Sequence, residues 1–213
     1  MAASASKNIV RVGKPLLFLL GLLPLGVLVA NGISGDIGPN PVEAVTRFTG
    51  DWTLRFLLIT LAVTPLRRLT GQTWLIRFRR MLGLFAFFYA CLHLLTYLWL
   101  DQFFAWSAIL EDVLERPYIT VGFAAFLLMV PLAVTSTRGM VRRLGRRWQI
   151  LHRLVYLVAA LGVLHFLWLV KAGITEPAIY GAVLALLLAL RLPFRRLRTG
   201  VRRTGEQILT ESR

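Results

Sequence analysis

The sequence predicts an all-α integral membrane protein, a bundle of six transmembrane helices with both termini in the cytoplasm. Three observations predict it. Hydrophobic residues make up 57% of the 213-residue chain and mean hydropathy is +0.67, well above soluble domains, whose apolar fraction is about half. Six apolar segments recur along the chain, and in lipid each can satisfy its own backbone N–H and C=O groups only as a helix. The basic residues fall in alternate connections between these segments, and most acids fall in the others.

The segments are 14–31, 52–66, 80–100, 117–135, 149–170 and 177–193. The second and sixth are short against the ~20 residues that a span needs, so their ends are expected to reach into the interface. The first run follows Lys7, Arg11 and Lys14 and ends at Ala30, a pattern shared with secretory signal peptides. Its length and the spans that follow favour a retained helix. Asn40, Pro41 and Glu43 fit an N-cap, a first-turn proline and a capping-box acid, which predicts a short helix over 41–48 ending near Gly50, with Asp51 capping the second span. Pro117 and Pro177 stand at the starts of the fourth and sixth segments, where a missing N–H costs nothing. Pro24 and Pro131 lie inside apolar runs and are expected to kink their helices. With no internal repeat and only short connections, the reading is one membrane domain over 14–195 between a cytoplasmic tail at 1–13 and a basic cytoplasmic tail at 196–213.

Orientation follows from charge. Lys7, Arg11 and Lys14 precede the first span; Arg67, Arg68, Arg77, Arg79 and Arg80 follow the second; Arg138, Arg142, Arg143, Arg146 and Arg147 follow the fourth; and seven arginines lie from Arg191 to Arg213. These stretches hold twenty of the 25 basic residues, which places them in the cytoplasm. The other connections carry Asp36, Glu43, Asp51, Asp101, Glu111, Asp112, Glu115 and Glu176, eight of the ten acids, and face outward. A net charge of +15 invites a nucleic-acid reading, but the arginines sit between apolar runs and on no nucleic-acid motif, so nucleic acid is not expected as a partner. They read instead as topology signals that contact lipid headgroups. Most of the six tryptophans lie near the expected interfaces as belt anchors.

One cysteine, Cys91, rules out an internal disulfide framework, and no CxxC or CxxCH occurs, so any haem is held non-covalently. All three histidines, His93, His152 and His165, fall inside expected spans, where an ionisable group is a functional candidate; hydrogen bonding between helices is the plainer alternative. His93 lies 13 residues beyond Arg80 and His165 lies 16 beyond Gln149, each roughly 20 Å or slightly more from the cytoplasmic boundary. Two imidazoles at one level on facing helices can supply both axial bonds of a six-coordinate haem, an electron carrier with no open site.

His152 lies 13 residues before His165, nearer the cytoplasm, and suggests an inner redox group. A partner from the third span would stand 13 or 14 residues before His93, at Arg80 or Arg79. Either the inner group has one histidine and an unusual second ligand, or it is not a haem. On an ideal helix His152 and His165 point about 140° apart, so a bulge or cofactors on different sides of the helix are required. Arg153 reads equally as a haem-propionate partner and as a snorkelling cation. Phe85, Phe87, Phe88 and Tyr89 read as membrane-core packing before they read as the flank of a macrocycle.

Several separated motifs carry a family resemblance. Asn40-Pro41-Val42-Glu43, Thr49-Gly50-Asp51-Trp52, Thr64-Pro65-Leu66-Arg67-Arg68, Arg79-Arg80-Met81-Leu82-Gly83-Leu84, Arg116-Pro117-Tyr118-Ile119-Thr120 and Arg147-Trp148-Gln149-Ile150-Leu151-His152-Arg153-Leu154-Val155-Tyr156 occur in order. Over about residues 15–195 the sequence resembles the MsrQ (formerly YedZ) family of haem-binding membrane subunits. The resemblance implies a ferric-reductase-like transmembrane bundle in the bacterial inner membrane. It implies electron flow from the quinone pool through one or two b-type haems to MsrP, a periplasmic molybdopterin enzyme that reduces methionine sulfoxide in oxidised proteins. It also implies FMN as a cofactor. His93 and His165 match the family's outer haem ligands and His152 its inner histidine, while Arg79 stands where larger ferric reductases have a histidine and is a candidate inner ligand. The sulfoxide chemistry belongs to the partner, and no nucleotide fingerprint suggests hydride transfer from NAD(P)H. Two other classes fit the bare residues: a transporter or channel in which the histidines relay protons, and a non-catalytic membrane anchor for a partner.

Overall fold

A computed structural model describes residues 2–170 and 173–191. The predicted basic tail, 196–213, and the end of the sixth segment lie outside the described residues. Every regular element among those described is helical, in the order α1 (Ala2–Ser34), α2 (Pro41–Thr70), α3 (Arg79–Leu95), α4 (Trp106–Glu115), α5 (Pro117–Val134), α6 (Arg138–Leu144), α7 (Arg146–Leu151), α8 (Leu154–Leu169) and α9 (Thr175–Ala189). A 3₁₀ segment, Thr73–Arg77, leads into α3, and a π-helical turn, Thr96–Asp101, continues it.

Four stretches are long and apolar enough to cross a membrane: Asn8–Ser34, Arg79–Asp101, Pro117–Val134 and Arg146–Leu169. Helix α2 has the length, at 30 residues, but carries Asp51, Arg55, Arg67 and Arg68. Helix α9 is apolar but only 15 residues long. The chain is therefore an all-helical, multi-pass membrane protein.

The Asn40 N-cap forms as expected: its Oδ1 accepts from the Glu43 N–H at 3.4 Å, and Pro41 opens the helix. The expected stop near Gly50 does not occur. Helix α2 runs unbroken through Gly50 and Asp51 to Gly71, which takes φ +71 and donates its N–H to the Arg67 carbonyl. The expected fifth span is divided, because α7 ends at Leu151 and α8 begins at Leu154 after a turn at His152 and Arg153. Two further helices, α4 and α6, fall in connections between the expected spans.

Packing is organised in two pairs, α2 on α3 and α5 on α8, which meet through α3–α5 and α2–α8 contacts. Leu61, Ala86, Tyr89 and Ala159 are fully buried at 0% exposure, at the heart of the core. Tyr89 and Phe85 stack with Phe56, so the aromatic run on α3 is core packing, as expected.

Tyr89 also secures α1. Its hydroxyl donates to the Gly21 carbonyl at 2.9 Å and accepts from the Leu25 N–H at 3.1 Å. These two backbone groups, four residues apart, would otherwise bond to each other within α1, next to Pro24. The tyrosine is inserted into the helical ladder at the proline site. Gly21 allows the approach, since a Cβ there would lie 2.4 Å from the Phe85 ring. Replacing Tyr89 by Phe strands a donor and an acceptor in an apolar environment, at a cost of about 1–3 kcal/mol. The thermal unfolding midpoint in detergent should fall accordingly; an unchanged midpoint would show that α1 closes this step by itself.

Candidate functional site

The site lies where the two helix pairs meet. His93 on α3 and His165 on α8 face one another with ring centroids 6.1 Å apart and planes at 78°. Each imidazole is tied to the neighbouring helix of its own pair: His93 Nδ1–H donates to the Thr46 carbonyl of α2 at 2.9 Å, and His165 Nδ1–H donates to the Tyr118 carbonyl of α5 at 2.7 Å. Because a carbonyl only accepts, both protons sit on Nδ1 and both Nε2 lone pairs remain for another partner.

The local sequence allows this on both sides in the same way. Four residues after each accepting carbonyl stands a glycine, Gly50 after Thr46 and Gly122 after Tyr118, hence one turn further along the same helix face. A Cβ at Gly50 would lie 3.0 Å from His93 Cε1, and one at Gly122 would lie 2.7 Å from His165 Nδ1. Gly50, read from sequence as a helix stop, instead admits an imidazole against the backbone.

Both rings border a cavity of about 320 Å³ whose walls include Leu54, Leu57, Phe126, Met129 and Val158, with Arg47 and Arg116 also on its lining. Helix α4 closes one side through Ile109 and Val113. It is held by Asp112, which accepts from the Tyr97 hydroxyl at 3.1 Å and from Gln102 Nε2 at 3.0 Å, and pairs with Arg116 Nε at 3.1 Å.

The separation of the two rings suits an iron held between them. Two Fe–N bonds of about 2 Å, with about 1 Å more from each nitrogen to its ring centre, call for centroids about 6 Å apart. The observed separation of 6.1 Å meets that demand. Among the described residues no group of three or more His, Cys, Asp or Glu side chains is gathered to hold a bare ion. Two imidazoles in an apolar pocket therefore suit a metal whose other donors come with a macrocycle. Both the ligand set and the pocket fit haem.

His152 stands apart, in the turn between α7 and α8. Its ring stacks on Trp148 at 3.9 Å, and its Nε2 lies 3.1 Å from Thr135 Oγ1. The Thr135 hydroxyl proton is committed to the Pro131 carbonyl at 2.6 Å, so His152 Nε2 carries the proton and Nδ1 keeps the lone pair, the reverse of His93 and His165. A turn at His152 and Arg153 separates this imidazole from the helix that carries His165. Arg79, at the start of α3, lies within Coulombic range of this imidazole. Arg153 is exposed. The structure thus brings His93 and His165 together, and separately brings Arg79 near His152.

This fold and its paired-histidine pocket define a membrane domain of the ferric reductase kind. The sequence model described as the ferric reductase like transmembrane component matches residues 49–163. Similar proteins include a "Protein-methionine-sulfoxide reductase heme-binding subunit MsrQ" from Herminiimonas arsenicoxydans, 58% identical over 84% of each chain. Those of Rhodospirillum rubrum (58% identical over 92% of this chain and 96% of the relative) and Azospira oryzae (59% over 84% and 78%) carry the same description. The chain belongs to the MsrQ family.

Gly122→Ala should cost about 1–3 kcal/mol, because its methyl overpacks the His165 ring. Gly26→Ala, with nothing within 4 Å of the added Cβ, should be neutral or slightly stabilising. Thermal unfolding of the two variants in one detergent checks the contrast, and equal midpoints would remove the close-approach role of Gly122.

Proposed function

We propose that this chain carries electrons across the bacterial inner membrane, from the quinone pool through b-type haem to a periplasmic molybdopterin methionine sulfoxide reductase, MsrP, that repairs oxidised proteins. His93 and His165 are the axial ligands of the outer haem, and His152 with Arg79 belongs to an inner redox site. The cofactors of this reading are one or two b-type haems and, on the family resemblance, FMN. Helices α2 and α9 complete a six-span bundle with cytoplasmic termini, which sets the paired histidines toward the periplasmic side.

The observation that carries the reading is a pair of facing imidazoles whose Nδ1–H groups are spent on carbonyls and whose ring centres are 6.1 Å apart, a separation that suits a metal held between them. Haem held in this way supplies one-electron chemistry without a vacant position for substrate. The protein's part is orientation and exclusion of water. The Thr46 and Tyr118 carbonyls set the ring planes and raise the basicity of Nε2. Leu54, Leu57, Met129 and Val158 keep the pocket dry. The sulfoxide chemistry takes place on the partner.

A proton relay draws less support, because the two carbonyl-bonded Nδ1 atoms are fixed donors and His152 is committed to Thr135. A bare anchor would have no use for a matched pair of buried ring nitrogens.

The purified protein should show a b-type spectrum with a Soret band and sharp visible bands on reduction. His93→Ala and His165→Ala should each abolish the same bis-imidazole signal, and haem per polypeptide should fall equally in both. A colourless, folded wild type, or a spectrum that survives either substitution, ends the assignment.

A further inference from the structure

Arg47 and Arg116 occupy matched places about the cavity. Arg47 directly follows Thr46, the residue whose carbonyl holds His93, and Arg116 lies two residues before Tyr118, whose carbonyl holds His165. One guanidinium therefore comes from each helix pair, and both line the pocket. Each is steadied by an acid one turn earlier on its own helix or connection: Glu43 Oε1 lies 3.0 Å from Arg47 Nη2, and Asp112 Oδ1 lies 3.1 Å from Arg116 Nε. Each ion pair engages one nitrogen of a planar fork that carries five N–H donors, so both arginines keep donors for a further carboxylate. Their side chains are 57% and 54% exposed, within reach of a ligand edge.

Two acids also line the pocket, Asp51 and Asp101. Asp51 lies 3.6 Å from Arg55 Nη2 and Asp101 accepts from Gln102 at 3.3 Å, so both are engaged elsewhere. What remains is an apolar slot between two imidazoles with one cation contributed by each wall. That is the complement of a flat apolar ligand bearing two acid groups.

We propose that Arg47 and Arg116 bind the two propionate carboxylates of the macrocycle held between His93 and His165, one arginine from each side. The proposal rests on the haem reading above. Together the four side chains fix the macrocycle in rotation as well as in height: the imidazoles set its plane, and the arginines set which edge points outward.

The test is an equilibrium titration of apoprotein in nanodiscs, on a His152→Ala background so that a second haem does not enter the count, with ferric haem b and with its dimethyl ester. The Soret band reports binding. Wild-type residues at 47 and 116 should favour the free acid over the ester by about tenfold or more, the weight of charge-assisted bonds. The Arg47→Ala/Arg116→Ala double variant should bind both forms alike, and Arg47→Lys/Arg116→Lys should restore part of the preference. Helical circular dichroism of each variant separates loss of fold from loss of contact. Equal affinities in the parent, or a preference that survives the double alanine variant, overturns the proposal while leaving the axial histidines standing. Failure of the parent to bind haem in a manner dependent on His93 and His165 overturns both.

Discussion

The constraint on which the rest depends is that a polar group inside the bilayer must find its partner within the protein. In hydrocarbon an unpaired N–H or C=O costs several kcal/mol, so every departure from a plain helix has to be made good by a side chain. Two such departures shape this molecule. At Pro24 the Tyr89 hydroxyl bridges Gly21 and Leu25, which lets α1 join the core. At the paired histidines the same constraint selects function: each imidazole spends its Nδ1 proton on a carbonyl that already serves its own helix, and is left with one unshared nitrogen pointing to no protein partner.

Symmetry of parts makes the site. The α2–α3 and α5–α8 pairs each present a carbonyl, a glycine four residues on, and a histidine from the opposing helix. Neither pair alone is a ligand set. The geometry appears only where the pairs meet, which couples the spacing between the rings to the packing of the whole bundle. Interiors packed to crystal-like density shift little, and an electron carrier gains from that rigidity because its ligands need not move between oxidation states.

Much of this was legible in the sequence, and the reason lies in what is local. The first, third, fourth and fifth apolar runs, the Asn40 cap and Pro117 at a helix start are determined by neighbours within a turn, and they stand as read. The shared depth of His93 and His165 was also readable, since counting residues from a charged boundary measures height along any helix. Facing direction was not readable in that way. Gly50 carries the mark of a helix stop, and only the ring of His93 against α2 shows what its missing side chain is for. Helix α4 went unseen because it is only ten residues long and the partner of its apolar positions, the cavity edge, comes from elsewhere in the chain. Arg47 and Arg116 drew no functional reading from the sequence for the same reason.

The third histidine, His152, differs from the facing pair in its surroundings. His152 offers Nδ1 where His93 and His165 offer Nε2, it stacks on an indole, and a guanidinium stands nearby. The walls around His93 and His165, by contrast, are largely apolar, with charge at Arg47, Asp51, Asp101 and Arg116. The turn at His152 lets one continuous stretch of sequence present two imidazoles to two unlike surroundings, so the three histidines divide into a facing pair held by backbone carbonyls and one that stands apart, held by a hydroxyl and an indole.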